Sequence, residues 1–325
     1  MLELENKSIS SDTVEAMRDA VGKSYDYYNS AVDEIKKILP SDEVHILNSA
    51  NSCILTVLEA IPEPILVADQ GGWNGFNKMA WVMKKKVEEI ETREGIINIE
   101  ELDKYLTEHD VKSLYITSMS AYTARQPIEE INKLCNIHEI IFILDTTPTI
   151  GAQENKNIAD LQITSTGTPK ILNIENGGII ANNTKKIQLN KDLIKTLKAD
   201  NITCAGIKHE IHKTPQILQK TLKTNTYLKQ QLQKQLPPEN KIIHQDKEGL
   251  NTIITTKSKK KAKTLAYQIN KEINTKPTLI KTGPQYNRIK KPSIIIETKN
   301  IAIKDLTKEN MDKLSKIILE KIRQN

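Results

Sequence analysis

At 325 residues, 38% hydrophobic and 27% charged, the chain has the make-up of a soluble globular protein with room for one large domain and a smaller one. No apolar run approaches the ~18–20 residues that span a bilayer, and Met1-Leu2-Glu3-Leu4-Glu5 is acidic where a secretion signal is basic. Cys53, Cys135 and Cys204 are too few and too scattered for a disulfide framework or a zinc site, so a reducing cytoplasm is the expected setting.

Residues Ser11–Leu39 read as a helical N-terminal arm that stops at Pro40. Short apolar runs then follow at Val44–Leu47, Ile65–Ala68, Ser113–Ile116, Ile140–Leu144, Leu161–Thr164 and Gly178–Ala181. Stretches with helical spacing separate many of them: Ser52–Ile61, Asn74–Lys86, Ile99–Glu108 and Ile128–Ile137. Strands joined by helix-length connectors predict βαβ units and an α/β fold, a three-layer arrangement around a mostly parallel sheet. The runs end in small or polar residues, and in an open sheet ligands bind beyond the carboxyl ends of the strands.

After Asn182 the pattern changes. Helices are expected at Lys185–Lys198 and Ile207–Leu236, the second halted by Pro237-Pro238. Strands at Ile242–Gln245 and Asn251–Thr256, a helix at Lys259–Ile273, strands near Thr278–Lys281 and Ser293–Glu297, and a helix at Leu306–Ile322 complete a small α+β domain. The expected division is residues 1–200 for the large domain with its arm, 201–236 for a linking helix and 237–325 for the small domain. Charge divides in nearly the same place. Residues 1–184 hold 16 Lys and Arg against 29 Asp and Glu, whereas residues 185–325 hold 31 against 12. A basic half of this kind suits either a solvated lysine-rich face or a polyanion such as tRNA, although it has few aromatics to stack bases.

Three segments carry candidate chemistry. Asn48-Ser49-Ala50-Asn51-Ser52 lies between a strand and a helix, where free N–H groups make either an ordinary cap or a phosphate site. Ile140–Leu144 runs into Asp145, a strand-end carboxylate suited to a metal, a base, a cap or a pyridine nitrogen. Asp160–Lys170 leads through a hydroxyl-rich loop to the only lysine between Lys156 and Lys185, and the Gly177-Gly178 turn follows. A lysine that is partly desolvated or near a cationic ring is expected to have a lowered pKa and to form an imine with an aldehyde. His209-Glu210-Ile211-His212 lacks the ligand spacing of a zinc protease, and no metal is expected. No glycine-rich dinucleotide or P-loop motif occurs.

From Asn48 to Asn182 the sequence resembles fold-type I enzymes dependent on pyridoxal 5'-phosphate (PLP), the aspartate aminotransferase superfamily. It is similar to the branch of cysteine desulfurases, DegT-type sugar aminotransferases and selenocysteine synthase, and nearest to archaeal selenocysteine-synthase-like proteins of unassigned function. The resemblance implies that Lys170 is the Schiff-base lysine and Asp145 the partner of the pyridine nitrogen. It makes Ser49, Ala50 and Asn51 the phosphate-binding turn, helped by Ser165 and Thr168. Trp73 matches the position of a ring-covering aromatic, and Arg288 and Arg125 become candidates for gripping a substrate carboxylate. It further implies a seven-stranded large-domain sheet, a homodimer and an amino-acid or aminoacyl substrate. The reaction expected is β-elimination or replacement, with transamination or a catalytically silent binding module as alternatives. Pro169 stands where desulfurases carry histidine, and no cysteine follows Cys204, so desulfurase activity is not expected.

Overall fold

The structure is a computed structural model that describes residues 1–156, 158–284 and 288–324. A sheet of seven strands forms its centre. From one edge to the other the order is Glu43–Leu47, Gly178–Asn182, Leu161–Ser165, Ile141–Asp145, Ser113–Thr117, Ile65–Ala68 and Val87–Ile90. Only Gly178–Asn182 runs antiparallel to its neighbours, and the other pairings are parallel. This is the α/β architecture the alternating pattern predicts.

The core strands Ser113–Thr117, Ile141–Asp145 and Leu161–Ser165 are buried along nearly their whole length, as strands covered on both faces must be. Leu47, Ile54, Val57 and Ile65 pack on one side of the sheet, and Leu66, Leu102, Leu114, Ile131 and Phe142 on the other. The edge strand Val87–Ile90 escapes a pattern search because two of its four residues are glutamates. A partly solvated edge tolerates that charge.

The small domain holds a three-stranded antiparallel sheet in the order Thr252–Thr255, Ser293–Ile296, Ile280–Gly283. Helices Lys259–Lys271 and Lys308–Arg323 pack against it. Four expectations need correction. Ile242–Gln245 is not a strand: Ile242 makes one isolated bridge to Ile254, and His244 turns the chain at a φ of 52°. Lys185–Lys198 is helical only over Lys191–Thr196, where Asn190 accepts from the amides of Asp192 and Leu193 and so starts the helix late. The helix expected from Ile207 is two helices, Asn201–Glu210 and Thr214–Gln233, joined by a 3-10 turn at Ile211–Lys213. Pro215 causes the break, since it has no N–H and its ring crowds the carbonyl four residues back. Finally, the first residues, expected in the large domain, join the small one. Leu2–Glu3 pairs with Ile273–Asn274, and Leu2 and Leu4 enter the small-domain core. Among the described residues no helix is long and apolar enough to cross a membrane.

Candidate active site

The strand ends converge where the parallel topology requires. A cavity of about 220 Å³ is walled by Ala50 and Asn51, by Gly71, Gly72 and Trp73, and by Thr117, Tyr122, Asp145, Thr147, Ser165, Lys170 and Arg288. Seven residues singled out in the sequence therefore share one cavity: Ala50, Asn51, Trp73, Asp145, Ser165, Lys170 and Arg288.

The helix Ala50–Ala60 opens at the cavity wall, and the first turn of any helix leaves N–H groups without intrahelical partners. The Gly-Gly turn permits this placement. Gly177 sits at a φ of 88°, and a Cβ on Gly178 would lie 2.7 Å from the Ala50 nitrogen, so only glycine lets that strand pass the helix start. Ser49 does not line the cavity. Its hydroxyl accepts from the Ser52 amide at 3.1 Å, which is ordinary capping. Thr168 is exposed and also lies outside the cavity lining.

Asp145 accepts from the Thr147 amide at 2.9 Å on one oxygen and from the Tyr115 hydroxyl at 3.4 Å on the other. Tyr115 is itself fixed by a parallel stack on Phe76, with ring centroids 3.7 Å apart. Burial pushes the Asp145 carboxyl above its usual range, opposed by the Thr147 hydrogen bonds and by Lys170.

Lys170 occupies the loop between the strands Leu161–Ser165 and Gly178–Asn182. Two further lysines grip that loop from outside. Lys7 Nζ donates to the Lys170 carbonyl and Lys299 Nζ to the Pro169 carbonyl, each at 3.4 Å. Both are buried, and burial lowers them to about 8 and about 7 respectively. The protonation of Lys170 itself is the reverse of expectation. Attraction to Tyr122 raises its pKa above the ordinary lysine value, burial opposes this, and Asp145 adds to the rise. An amine that donates to a phenol oxygen and lies beside a carboxylate keeps its proton.

The two arginines part company. Arg288 lines the cavity and donates to Glu297 on the small domain, where Asn300 also donates to the same carboxylate. Burial would raise Glu297, but Lys299 and Arg288 outweigh it and hold the carboxyl at about 2. Arg125 lies elsewhere. It pairs with Glu154 and, at 3.6 Å, with Glu248, on the wall of a separate groove beneath the helix Thr214–Gln233. Its sequence-based role in gripping substrate at this cavity is not supported by where it sits.

Sequence reasoning missed Tyr122, Thr117, Thr147, Glu297 and Lys299. The last two had a signal: Glu297-Thr298-Lys299-Asn300 is a polar run that directly follows the apolar Ser293–Ile296, yet all four of its residues are buried.

Solved structures share this architecture over the whole chain. Helicobacter pylori PseC, an aminotransferase of pseudoaminic acid biosynthesis, superposes with a TM-score of 0.79 at 12% identity, covering 100% of both chains. A NifS-like protein from Rickettsia africae gives 0.74 at 13% identity, covering 100% of this chain and 99% of the other. A serine palmitoyltransferase variant from S. paucimobilis with bound PLP and myriocin gives 0.78 at 11% identity, covering 99% of this chain and 87% of its own. The fold is thus the PLP-transferase fold, large and small domains together. Residues 215–319 match the model of the MJ1341 family C-terminal domain. No curated protein matches the sequence.

Proposed function

We propose that the chain is a PLP-dependent enzyme of transferase or lyase type acting on an amino acid or aminoacyl substrate. The observation that carries the proposal is the convergence of Lys170, Asp145 and the start of helix Ala50–Ala60 on one cavity. The residues present fit the cofactor. The hydroxyl of Thr117 lines this cavity, is buried and has no hydrogen-bond partner among the described residues, as expected of a group awaiting a polar ligand. The cavity also gathers cationic groups, Lys170 and Arg288, at the N-terminal end of a helix dipole, which suits a phosphate and a carboxylate together.

PLP, when bound, supplies an electron sink for bonds at the substrate's α-carbon. Lys170 would hold it through Nζ, and the amides of Ala50 and Asn51 with the Ser165 hydroxyl would hold the phosphate. Asp145 would keep a proton on the pyridine nitrogen, and Trp73 would cover the ring. Arg288 would meet the substrate carboxylate in competition with Glu297. The Lys170 amine would also move protons at the substrate's α-carbon. No cysteine lines the cavity, and all three cysteines are buried, so a desulfurase nucleophile is missing from this site.

Within this class, selenocysteine-synthase-like β-elimination or replacement is the first reading, supported by the resemblance of residues 48–182 to that branch. DegT-type transamination is the second, favoured by the full-length likeness to PseC. An aminoacyl-tRNA substrate draws support from the excess of 31 basic over 12 acidic residues across 185–325; salt-sensitive tRNA binding is its test. The primary test is spectroscopic. PLP added to the purified protein should produce a visible absorbance band that Lys170→Ala abolishes. A colourless wild type, or a band that persists in the variant, removes the proposal. An amino-acid panel then separates the reactions: an amino donor bleaches the band to the aminated cofactor, whereas an elimination substrate returns it.

A further inference from the structure

The turn after the strand Ser113–Thr117 carries a residue with no place in the roles above. Ala121 and Tyr122 both adopt positive φ, 47° and 62°. That conformation is costly for a non-glycine residue and persists only where its surroundings impose it. Bonds of the turn itself and of Ala121 to the Gly71 carbonyl hold it, and residues beyond the large sheet reinforce it. The amides of Leu250 and Asn251 both donate to the Tyr122 carbonyl, at 2.7 and 2.9 Å. Buried Lys229, on the helix Thr214–Gln233, donates to the carbonyls of Thr123, His244 and Lys247 at 3.0, 2.9 and 2.8 Å. The turn is thus clamped from outside the sheet that it leaves.

The clamp delivers one side chain to the cavity. Tyr122 Oη lies 3.3 Å from Lys170 Nζ, and the tyrosine is part of the cavity wall. Cations surround its ring: Lys299 at 5.2 Å, Arg288 at 5.3 Å and Lys170 at 5.7 Å from the centroid. Contacts of this length are worth most when desolvated.

We propose that Tyr122 is a catalytic residue whose hydroxyl touches Lys170 Nζ and decides when that amine gives up its proton. The word catalytic rests on the PLP reading; the contact does not. Tyr122 and Asp145 face Lys170 and favour its ammonium form, while Arg288 on the small domain opposes it. Lys299 presses on the same ring, and Lys7 holds the loop from the carbonyl side. A lysine so balanced reaches neutral pH charged, ready to act as an acid. In a reaction that expels a group from the substrate, an N–H bond of Lys170 breaks, its electron pair stays on nitrogen, and the proton goes to the leaving atom. The same geometry ties this bias to domain docking, since the Tyr122 carbonyl accepts from Leu250 and Asn251 in addition to the bonds within its own turn.

The test needs no cofactor. Competitive acylation of Lys170 by acetic anhydride, quantified by mass spectrometry across pH, reads the fraction of neutral amine. In wild type Lys170 should become reactive only at higher pH than exposed lysines. Tyr122→Phe removes one oxygen and should shift the Lys170 profile to lower pH, with several-fold more labelling at fixed pH below the midpoint. A profile identical to wild type overturns the proposal. Should Tyr122→Phe lower the unfolding temperature, 3-fluorotyrosine at position 122 reports instead. It changes the acidity of the oxygen with almost no change in shape, and an unmoved Lys170 profile overturns the proposal equally. Failure of the PLP reading shows separately, as a wild type that takes no colour from PLP while the labelling result stands.

Discussion

Among the described residues, a groove much larger than the cavity lies elsewhere, and the smaller of these two hollows holds the chemistry. The groove beneath helix Thr214–Gln233 measures about 860 Å³, against about 220 Å³ for the cavity at the sheet edge. In the groove, Arg125, Glu154 and Glu248 are only partly covered and pair with one another. In the cavity, burial pushes the Asp145 carboxyl up and Tyr122 pushes the Lys170 amine up against its burial. The groove records how far a helix stands off its neighbours. The cavity records where five strands of the large sheet deliver their ends. Perturbed titratable groups that converge from separate elements mark function better than volume does.

The contrast is sharpest at Lys170. Lys170→Ala should lower turnover of any PLP-dependent substrate by roughly 10²–10⁴-fold, the range of a lost acid–base group. Steady-state rates and the visible band measured on the same preparation check it. A rate unchanged within a factor of two would move the chemistry away from the cavity.

Next in size is a stability effect. Glu297 is 7% exposed and faces Arg288 and Lys299, itself 3% exposed. Removing one member of a buried ionic set leaves the others uncompensated, at a cost of about 3–5 kcal/mol. Glu297→Gln should therefore lower the unfolding free energy by that order in urea. The same carboxyl makes stability fall in acid. Its folded pKa of about 2 lies below the ordinary 4.5, so the unfolded chain binds the proton first, and the Glu297 contribution is lost as pH drops through that window.

The buried lysines act in the same direction, in a window at higher pH. Lys299 is lowered from 10.5 to about 7, so between those values the unfolded chain holds more protons and stability rises with pH. Lys7 and Lys229, each lowered to about 8, add to the slope. The difference in unfolding free energy between wild type and Lys299→Met should therefore change steadily from pH 7 to pH 9. A difference that stays flat across that range would show that Lys299 titrates as a solvated lysine.

How much of this was legible in the sequence follows from what each residue needed. Lys170, Asp145, Ala50 and Asn51 were readable because local order alone puts them at strand or helix ends. The large sheet was readable because strands buried on both faces are continuously apolar. Val87–Ile90 was not, since an edge strand may carry two glutamates without breaking its pairing. Tyr122 and Lys299 were invisible for a different reason. Each is held in place by contacts from sequence-distant segments, Tyr122 by Leu250 and Asn251 and Lys299 by Pro169, and a tyrosine in a turn or a lysine in a lysine-rich half carries no local mark. The raised pKa of Lys170 was likewise unreadable, because its sign depends on Tyr122.

The smallest effect belongs to the groove, and it is the one that tests the comparison itself. Arg125 follows a strand of the large sheet and was a candidate for gripping substrate, but its guanidinium meets Glu154 and Glu248 while its side chain stays 33% exposed. Ion pairs at that exposure are screened by solvent and contribute roughly 0–1 kcal/mol. Arg125→Ala should accordingly lower stability by no more than about 1 kcal/mol and leave both PLP binding and substrate KM within about twofold, because a substrate seated against Lys170 has no contact with the groove wall. Arg288→Ala, measured beside it, should raise KM far more, since that guanidinium lines the cavity. If instead KM climbs as steeply in Arg125→Ala as in Arg288→Ala, the substrate must extend from the cavity into the groove. The two hollows would then be one site.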